Sequence, residues 1–204
     1  LASAQGEYLS YLDADDFFEP DMLESAVAKA EEDQSDIVVY GSWLYDASRQ
    51  ANRQAKWKLQ TEGLPEGQPF APAEVSDRIF NIFGNEAWNK LFRRSRIREK
   101  SLTFQEISRA NDLYFTCAAL IQSRSISVID RAFVHYRVAT VTSLQSTKDQ
   151  DPTSFLKATE ALHDYLESNG LLAQYQEGFI NHLLDCICWN VDSVHTQESI
   201  TLIK

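Results

Sequence analysis

Apolar positions along this chain recur at two spacings, and the order in which they change predicts its elements. The run Tyr8-Leu9-Ser10-Tyr11-Leu12 has the length of a strand and follows what reads as a helix end and a turn at Gly6. Helical spacing comes next. Pro20 marks a start, and Leu23, Ala26, Val27 and Ala30 recur as one buried face until Ser35-Asp36 breaks it. Ile37-Val38-Val39-Tyr40 is short and continuously apolar, the pattern of a strand covered on both faces. Strand, helix, strand in this order predicts an α/β fold.

Residues 45–76 are polar and hold Gly63, Gly67, Pro65, Pro69 and Pro72, so they read as a long loop, either a functional lid or a disordered insertion. A helix carrying Ile79 and Phe80 follows. Asn111-Asp112 precedes an apolar helix through Leu120 and Ile121, and Ser125 to Arg137 reads as one or two strands. Beyond Pro152, Phe155, Thr159, Leu162 and Leu166, then Leu172, Tyr175, Phe179, Leu183 and Ile187, predict two amphipathic helices. Asn169-Gly170 separates them as a C-cap signal. The predicted division is an α/β portion over residues 1–146 and a helical extension over residues 147–204.

Composition is that of a globular protein, 44% hydrophobic and 24% charged. The 19 basic against 30 acidic side chains give a net charge of −11, which argues against a broad nucleic-acid-binding face. Cys117, Cys186 and Cys188 form neither a CxxC pair nor an even disulfide set, so a reducing cytoplasm is the simplest setting. No apolar run approaches the ~18 residues of a membrane span. The chain opens on Leu1 without a leader pattern, which suggests sequence upstream. One basic stretch, Arg93, Arg94, Arg96, Arg98 and Lys100, stands out in this acidic background. Most of it reads as a solvated face, with contact to anionic lipid headgroups, and hence a peripheral place at the membrane, as the alternative.

The chemistry concentrates in Asp13, Asp15 and Asp16, directly after a predicted strand, where side chains of an open α/β sheet reach the ligand crevice. Adjacent carboxylates repel unless they share a cation, and Mg2+ or Mn2+ bridging them to substrate phosphates would relieve this. The competing reading is that they complement the dipole of the helix starting near Pro20. An EF-hand loop is excluded, because Phe17 and Phe18 stand where it needs an oxygen ligand and a glycine. A haloacid-dehalogenase-like phosphatase is a remote rival, since Asp16-Phe17 does not match its Asp-x-Asp-Gly/Thr pattern. Trp43 and Trp88 could stack on sugar rings, but aromatic residues with apolar neighbours are more often core. The four histidines show no ligand spacing, and no Ser/His/Asp or Cys/His nucleophile set can be assembled.

The longer string from Ala4 and Gly6-Glu7-Tyr8-Leu9 through Tyr11-Leu12-Asp13-Ala14-Asp15-Asp16 to Pro20 and Met22-Leu23-Glu24 resembles the Asp-x-Asp segment of the family 2 glycosyltransferases, enzymes of the GT-A fold. Further segments follow in the family's order. Asp36-Ile37-Val38 is similar to its next strand and Trp88-Asn89-Lys90-Leu91-Phe92-Arg93 to its W-x-K-L-[YF]-R segment. Phe104 through Asn111-Asp112 resembles its F…E-D segment, and Tyr136-Arg137 with Ser143 its Y-R…S close. The likeness runs over roughly residues 1–146.

That resemblance implies a GT-A-like, Rossmann-like mixed sheet with a helical C-terminal tail, and an inverting transfer of a sugar from a nucleotide-sugar donor to a hydroxyl of a glycan or lipid-linked acceptor, in bacterial surface polysaccharide synthesis. It implies Asp15 as ligand of a divalent cation with Asp13 beside it on metal or donor, Asp16 toward the donor, and Lys90 and Arg137 facing the diphosphate. Asp112 falls at the catalytic base, and Trp88 and Asn111 would meet the acceptor. Asn111 departs from the family, which carries Glu there. The structural alternative for Asp112 is an N-cap. The family's first strands have no counterpart in these residues, so an exposed sheet edge, pairing with a second copy and weak nucleotide-sugar binding are expected. The rival from another class is a non-catalytic remnant or interaction module.

Overall fold

The apolar run beginning at Ile37 becomes the central strand of a mixed sheet. A computed structural model describes residues 3–138, 149, 151–194 and 196–203. Its elements are β1 (Tyr8–Ser10), β2 (Phe17–Phe18), α1 (Met22–Glu32), β3 (Ile37–Asp46), β4 (Ala51–Gln54), α2 (Ile79–Ile82), β5 (Lys90–Arg93), α3 (Arg94–Glu99), α4 (Asn111–Gln122), β6 (Ile126–Val138), α5 (Ser154–Ser168), α6 (Leu172–Ser193) and α7 (Gln197–Ile203). The sheet order is β1-β5-β3-β6-β2, with β4 added to β3. Only β3 and β6 pair in parallel, and every other pairing is antiparallel.

Because side chains alternate along a strand, β3 feeds two cores. Ile37 and Val39 enter the larger one, with α2, α4, α5 and α6, while Val38 and Tyr40 enter a smaller one with α1, Leu91, Phe133 and Val134. The β3–β6 register slips around Gly41. A Cβ at Gly41 would lie 3.2 Å from the Arg131 carbonyl oxygen, so the bulged strands meet where a side chain would not fit.

Helix α1 is rotated from the face its apolar spacing suggests. Met22, Ala26 and Ala30 are buried, whereas Leu23 is 47% exposed and Val27 is 36% exposed. Two alanines on the inner face let the helix axis sit close to the sheet, which the larger Leu23 and Val27 would hold off.

The expected loop over residues 45–76 carries structure of its own. It forms the β3–β4 hairpin and then a strap that crosses the molecule through 3-10 turns at Lys56–Lys58 and Pro72–Val75. Leu59 bridges to Phe83 and Phe70 to Ile126, with Phe70 N–H to Ile126 O at 3.0 Å and Ile126 N–H to Phe70 O at 2.9 Å. Ala55, Leu59, Phe70 and Val75 are buried. The polar sequence conceals these four anchors because their spacing, 55, 59, 70 and 75, follows no sustained regular period.

The two C-terminal helices form as their spacing predicts, and Gly170 between them has φ +67°, the left-handed conformation that suits glycine. Phe155, Leu162, Leu166, Tyr175 and Phe179 enter the same core as Leu113 and Phe115 of α4. A Cβ at Gly178 would come within 2.5 Å of the Ser76 carbonyl oxygen, so α6 lies directly on the strap. Helix α7 has no counterpart in the sequence reading. Ser143 and His195 lie outside the described residues, as does the expected boundary at 146. Among the described residues no helix is long and apolar enough to cross a membrane.

Candidate active site

The three acids follow β1 in a tight turn, where Asp16 N–H donates to the Asp13 carbonyl oxygen at 3.3 Å. Ser10 and Leu9 hold the strand against β5, so the turn emerges from the sheet's β1 edge. Asp13 and Asp15 both keep open faces toward solvent. The protein mass around Asp13, and then Asp15 beside it, push its carboxyl above the ordinary carboxylate value. Asp16 is raised to about 6, first by burial and then by its two acidic neighbours, against the hydrogen bond from Arg137 N–H at 2.9 Å. Its Oδ1 therefore ties the turn to the end of β6. Its Oδ2 is buried without a partner. The Arg137 guanidinium lies 5.3 Å over the Phe17 ring and 5.6 Å over Tyr45, close enough to favour the charged form of Asp16.

Among the described residues no three His, Cys, Asp or Glu side chains converge to cage a metal. Two solvent-open carboxylates beside a half-buried third fit an ion that takes one or two protein oxygens and completes its shell with phosphates and water. They do not fit an all-protein cage.

Asp112 stands in the first turn of α4, after Ala110 with φ 54°. Burial is the largest influence on its carboxyl and raises it, while its own backbone N–H, Lys58 and Lys90 oppose the rise and Asp13 adds to it. Asp13 and Asp112, far apart in sequence, thus share one electrostatic environment. Asn111 is exposed at the helix start.

Lys90 is placed differently from the sequence expectation. It is fully buried, and its ammonium donates to Gly84 O, Glu86 O and Asn89 Oδ1, each at 2.7 Å. All three donors are taken up inside the protein, so Lys90 anchors the 84–90 loop and does not face a diphosphate. Burial lowers its pKa to about 7, with Cys117 and Asp112 opposing. Trp88 is also corrected. It is 6% exposed and stacks on Tyr136 at 5.6 Å with an 8° interplanar angle, inside the smaller core, so it offers no open face to an acceptor. Trp43, half-buried, stacks on His135 at 6.4 Å.

The basic stretch is not a solvated face at Arg93, Arg94 and Arg96, which are engaged by the protein. Asp36, 2% exposed, accepts from Arg124 N–H at 2.8 Å, Nε at 3.0 Å and Nη2 at 3.0 Å, and Arg93 and Arg96 stand 3.7 and 3.9 Å from it. Arg94 Nη1 donates to Ala4 O at 3.2 Å. These arginines tie β1, β3, α3 and α4 together at the end of the sheet.

Lys58 and Glu86 escaped the sequence reading. Lys58 sits at the end of the strap's 3-10 turn and forms an ion pair with Glu86. Burial and Lys90 draw its ammonium down to about 8, against Asp112. No regular spacing marked it, and the signal lies in a pairing across the chain.

Glycosyl transferase family 2 matches residues 1–122. EpsH of Bacillus subtilis strain 168, named as a glycosyltransferase, is 26% identical over 182 residues, covering 87% of this chain and 51% of that protein. The cholesterol galactosyltransferase of Borreliella burgdorferi is 27% identical over 139 residues, covering 65% of this chain and 38% of that protein. The chain spans about half the length of EpsH, or less of the other relative. A crystal structure of S. aureus TarS covers 98% of this chain and 36% of that one at TM-score 0.50 and 16% identity. TarS residues 1–349 in complex with UDP-GlcNAc covers 91% and 58% at TM-score 0.49 and 17% identity. The sheet, its flanking helices and the family match agree, and the chain belongs to glycosyl transferase family 2, with a GT-A-like fold.

Proposed function

We propose that the chain carries the cation-binding acids and the base of an inverting, metal-dependent hexosyltransferase that moves a sugar from a nucleotide-sugar to a hydroxyl of a glycan or lipid-linked acceptor, in bacterial surface polysaccharide synthesis. The observation that carries this reading is that two acids distant in sequence act on one another, the charge of Asp13, open beside Asp15, adding to the raised proton affinity of the half-buried Asp112. The names of the relatives and the UDP-GlcNAc held by TarS support the substrate class.

In this reading Asp13 and Asp15 would hold Mg2+ or Mn2+, which when bound would supply Lewis-acid neutralisation of a nucleoside diphosphate's charge. Asp16 Oδ1 and Arg137 N–H keep the acid turn at the end of β6, and the Arg137 guanidinium, over the Phe17 ring beside that turn, is the cation assigned to a donor phosphate. Asp112 accepts the proton of the acceptor hydroxyl as its oxygen forms a bond to the anomeric carbon and the bond to the diphosphate oxygen breaks, inverting that carbon. A carboxyl raised by burial suits this task, because a higher proton affinity makes it a stronger base. Asn111 leaves the acceptor side one negative charge fewer than its family pattern.

Nucleoside diphosphate release from a panel of nucleotide-sugars, measured with Mn2+, Mg2+ or chelator in the full gene product, tests the reading. Release that needs the cation and vanishes in Asp15→Ala and Asp112→Asn supports it. Inactivity across the panel overturns it in favour of a non-catalytic module, and full activity in either variant overturns the role given to that residue.

A further inference from the structure

Residues 47–61 hold four of the chain's 19 basic side chains, Arg49, Arg53, Lys56 and Lys58, and none of its 30 acidic ones. They run from the tip of the β3–β4 hairpin through β4 into the strap's first 3-10 turn. Lys58 turns inward to Glu86. Arg49, Arg53 and Lys56 are exposed, and β4 is exposed at all four of its positions, on both faces of the strand. Trp57 stands among them, 48% exposed, with the Arg53 guanidinium 5.5 Å over its ring. A bare indole among cations sets this hairpin apart in a chain of net charge −11.

The arm is built and placed. Asp46 Oδ1 closes its tip by accepting from Ser48 N–H at 2.9 Å, Ser48 Oγ at 2.6 Å and Arg49 N–H at 3.2 Å. Asn52 pairs with Tyr45 across the hairpin, and its Oδ1 lies 3.1 Å from Nδ1 of His135, which stacks on Phe17 at 4.3 Å. Arg137, whose N–H holds Asp16, lies over Phe17 and Tyr45. The basic arm therefore stands at the same end of the sheet as the acid turn.

We infer that the β3–β4 hairpin and Trp57 dock the protein on an anionic lipid bilayer. Lys and Arg are drawn to the negative surface potential of such a bilayer, and an indole settles at its headgroup level with the ring toward the acyl chains. An arm exposed on both faces presents side chains to a plane, where a peptide would need a cleft, and it is too narrow for the broad basic face of a nucleic-acid site. The acidic remainder of the chain is repelled by the same surface, which turns the hairpin toward it. Docking in this orientation brings the acid turn to a lipid-linked acceptor, and that consequence alone rests on the transferase reading.

Co-sedimentation of the full gene product with vesicles of mixed phosphatidylglycerol and phosphatidylcholine, or of phosphatidylcholine alone, tests the docking without turnover. Binding is expected to the mixed vesicles only, and to fall with added salt. Arg53→Gln and Lys56→Gln should each weaken it about fivefold, while Arg98→Gln, at an exposed basic position on α3, leaves it unchanged. Vesicles with brominated acyl chains should quench part of the tryptophan emission, and Trp57→Phe should remove that part. No binding to the mixed vesicles, an equal loss in Arg98→Gln, or quenching that survives Trp57→Phe overturns the inference. Retention on heparin without vesicle binding also overturns it and gives the arm to a soluble polyanion. A protein that binds vesicles but transfers no sugar keeps the docking and loses the transferase reading, and an active transferase that ignores vesicles does the reverse.

Discussion

Asp36 and Asp112 are both acids withdrawn from water among basic residues, and they end in opposite states. Burial raises the proton affinity of each. At Asp36 three hydrogen bonds from Arg124 overcome it, with Arg96 adding charge, and the carboxyl falls below the ordinary carboxylate value. At Asp112, among the described residues, no side-chain donor reaches the carboxylate, and the nearby ammoniums of Lys58 and Lys90 are held by other acceptors. Cations in contact make a fixed brace. Cations in range but engaged elsewhere leave a carboxylate able to exchange a proton.

The largest expected effect separates the two by substitution. Asp112→Asn should cost about 10³-fold in kcat at an unchanged thermal midpoint. Asp36→Asn should cost about 1–3 kcal/mol of stability, because it weakens the charge-assisted hydrogen bonds from Arg124, while the folded fraction keeps its activity. Turnover per folded molecule and thermal melting together distinguish them. An active Asp112→Asn enzyme would erase the contrast.

Lys90→Met sharpens it from the cation side. Gly84 O, Glu86 O and Asn89 Oδ1 lose their donor, so stability should fall by about 3 kcal/mol in urea titration. Binding of inorganic diphosphate by the folded protein should not change. Weakened diphosphate binding would return Lys90 to the donor site.

Helix α6 supplies a third buried titratable group, where burial outweighs a charge in range. His182 is 4% exposed, tilted against Phe80 at 6.0 Å, and burial depresses its pKa to about 4, with Asp185 opposing. Its folded value lies below its unfolded one, so its contribution is present above pH ~6.5 and is lost as pH falls toward 4. Stability should drop by about 3 kcal/mol across that window, and His182→Gln should flatten the curve. Equal slopes in both proteins would place His182 outside the acid response.

Trp88→Phe is the smallest change. Loss of the stack on Tyr136 should cost about 1 kcal/mol. Acceptor KM should stay the same, and a several-fold rise would reopen Trp88 as an acceptor contact.

Much of this contrast was visible in the sequence on one side only. Strand β3, helix α4 and the helices either side of Gly170 were legible because each carries its own period, and the acids of the β1 turn were legible because they are contiguous. Asp112 was found through the family's motif order. The brace around Asp36 was not, since Arg93, Arg96 and Arg124 are scattered along the chain and a basic run looks the same whether it faces water or a buried carboxylate. The strap was missed for a related reason. Phe70 and Lys58 take their meaning from Ile126 and Glu86, and no local spacing reports a partner that far away.

The most direct test is a single 13C NMR titration in which the Asp36 and Asp112 carboxyls are followed in the same sample. Asp112 should titrate above the ordinary carboxylate value of 3.8 and Asp36 below it. An Asp112 midpoint at or below that of Asp36 would contradict the assignment of one as a brace and the other as a base.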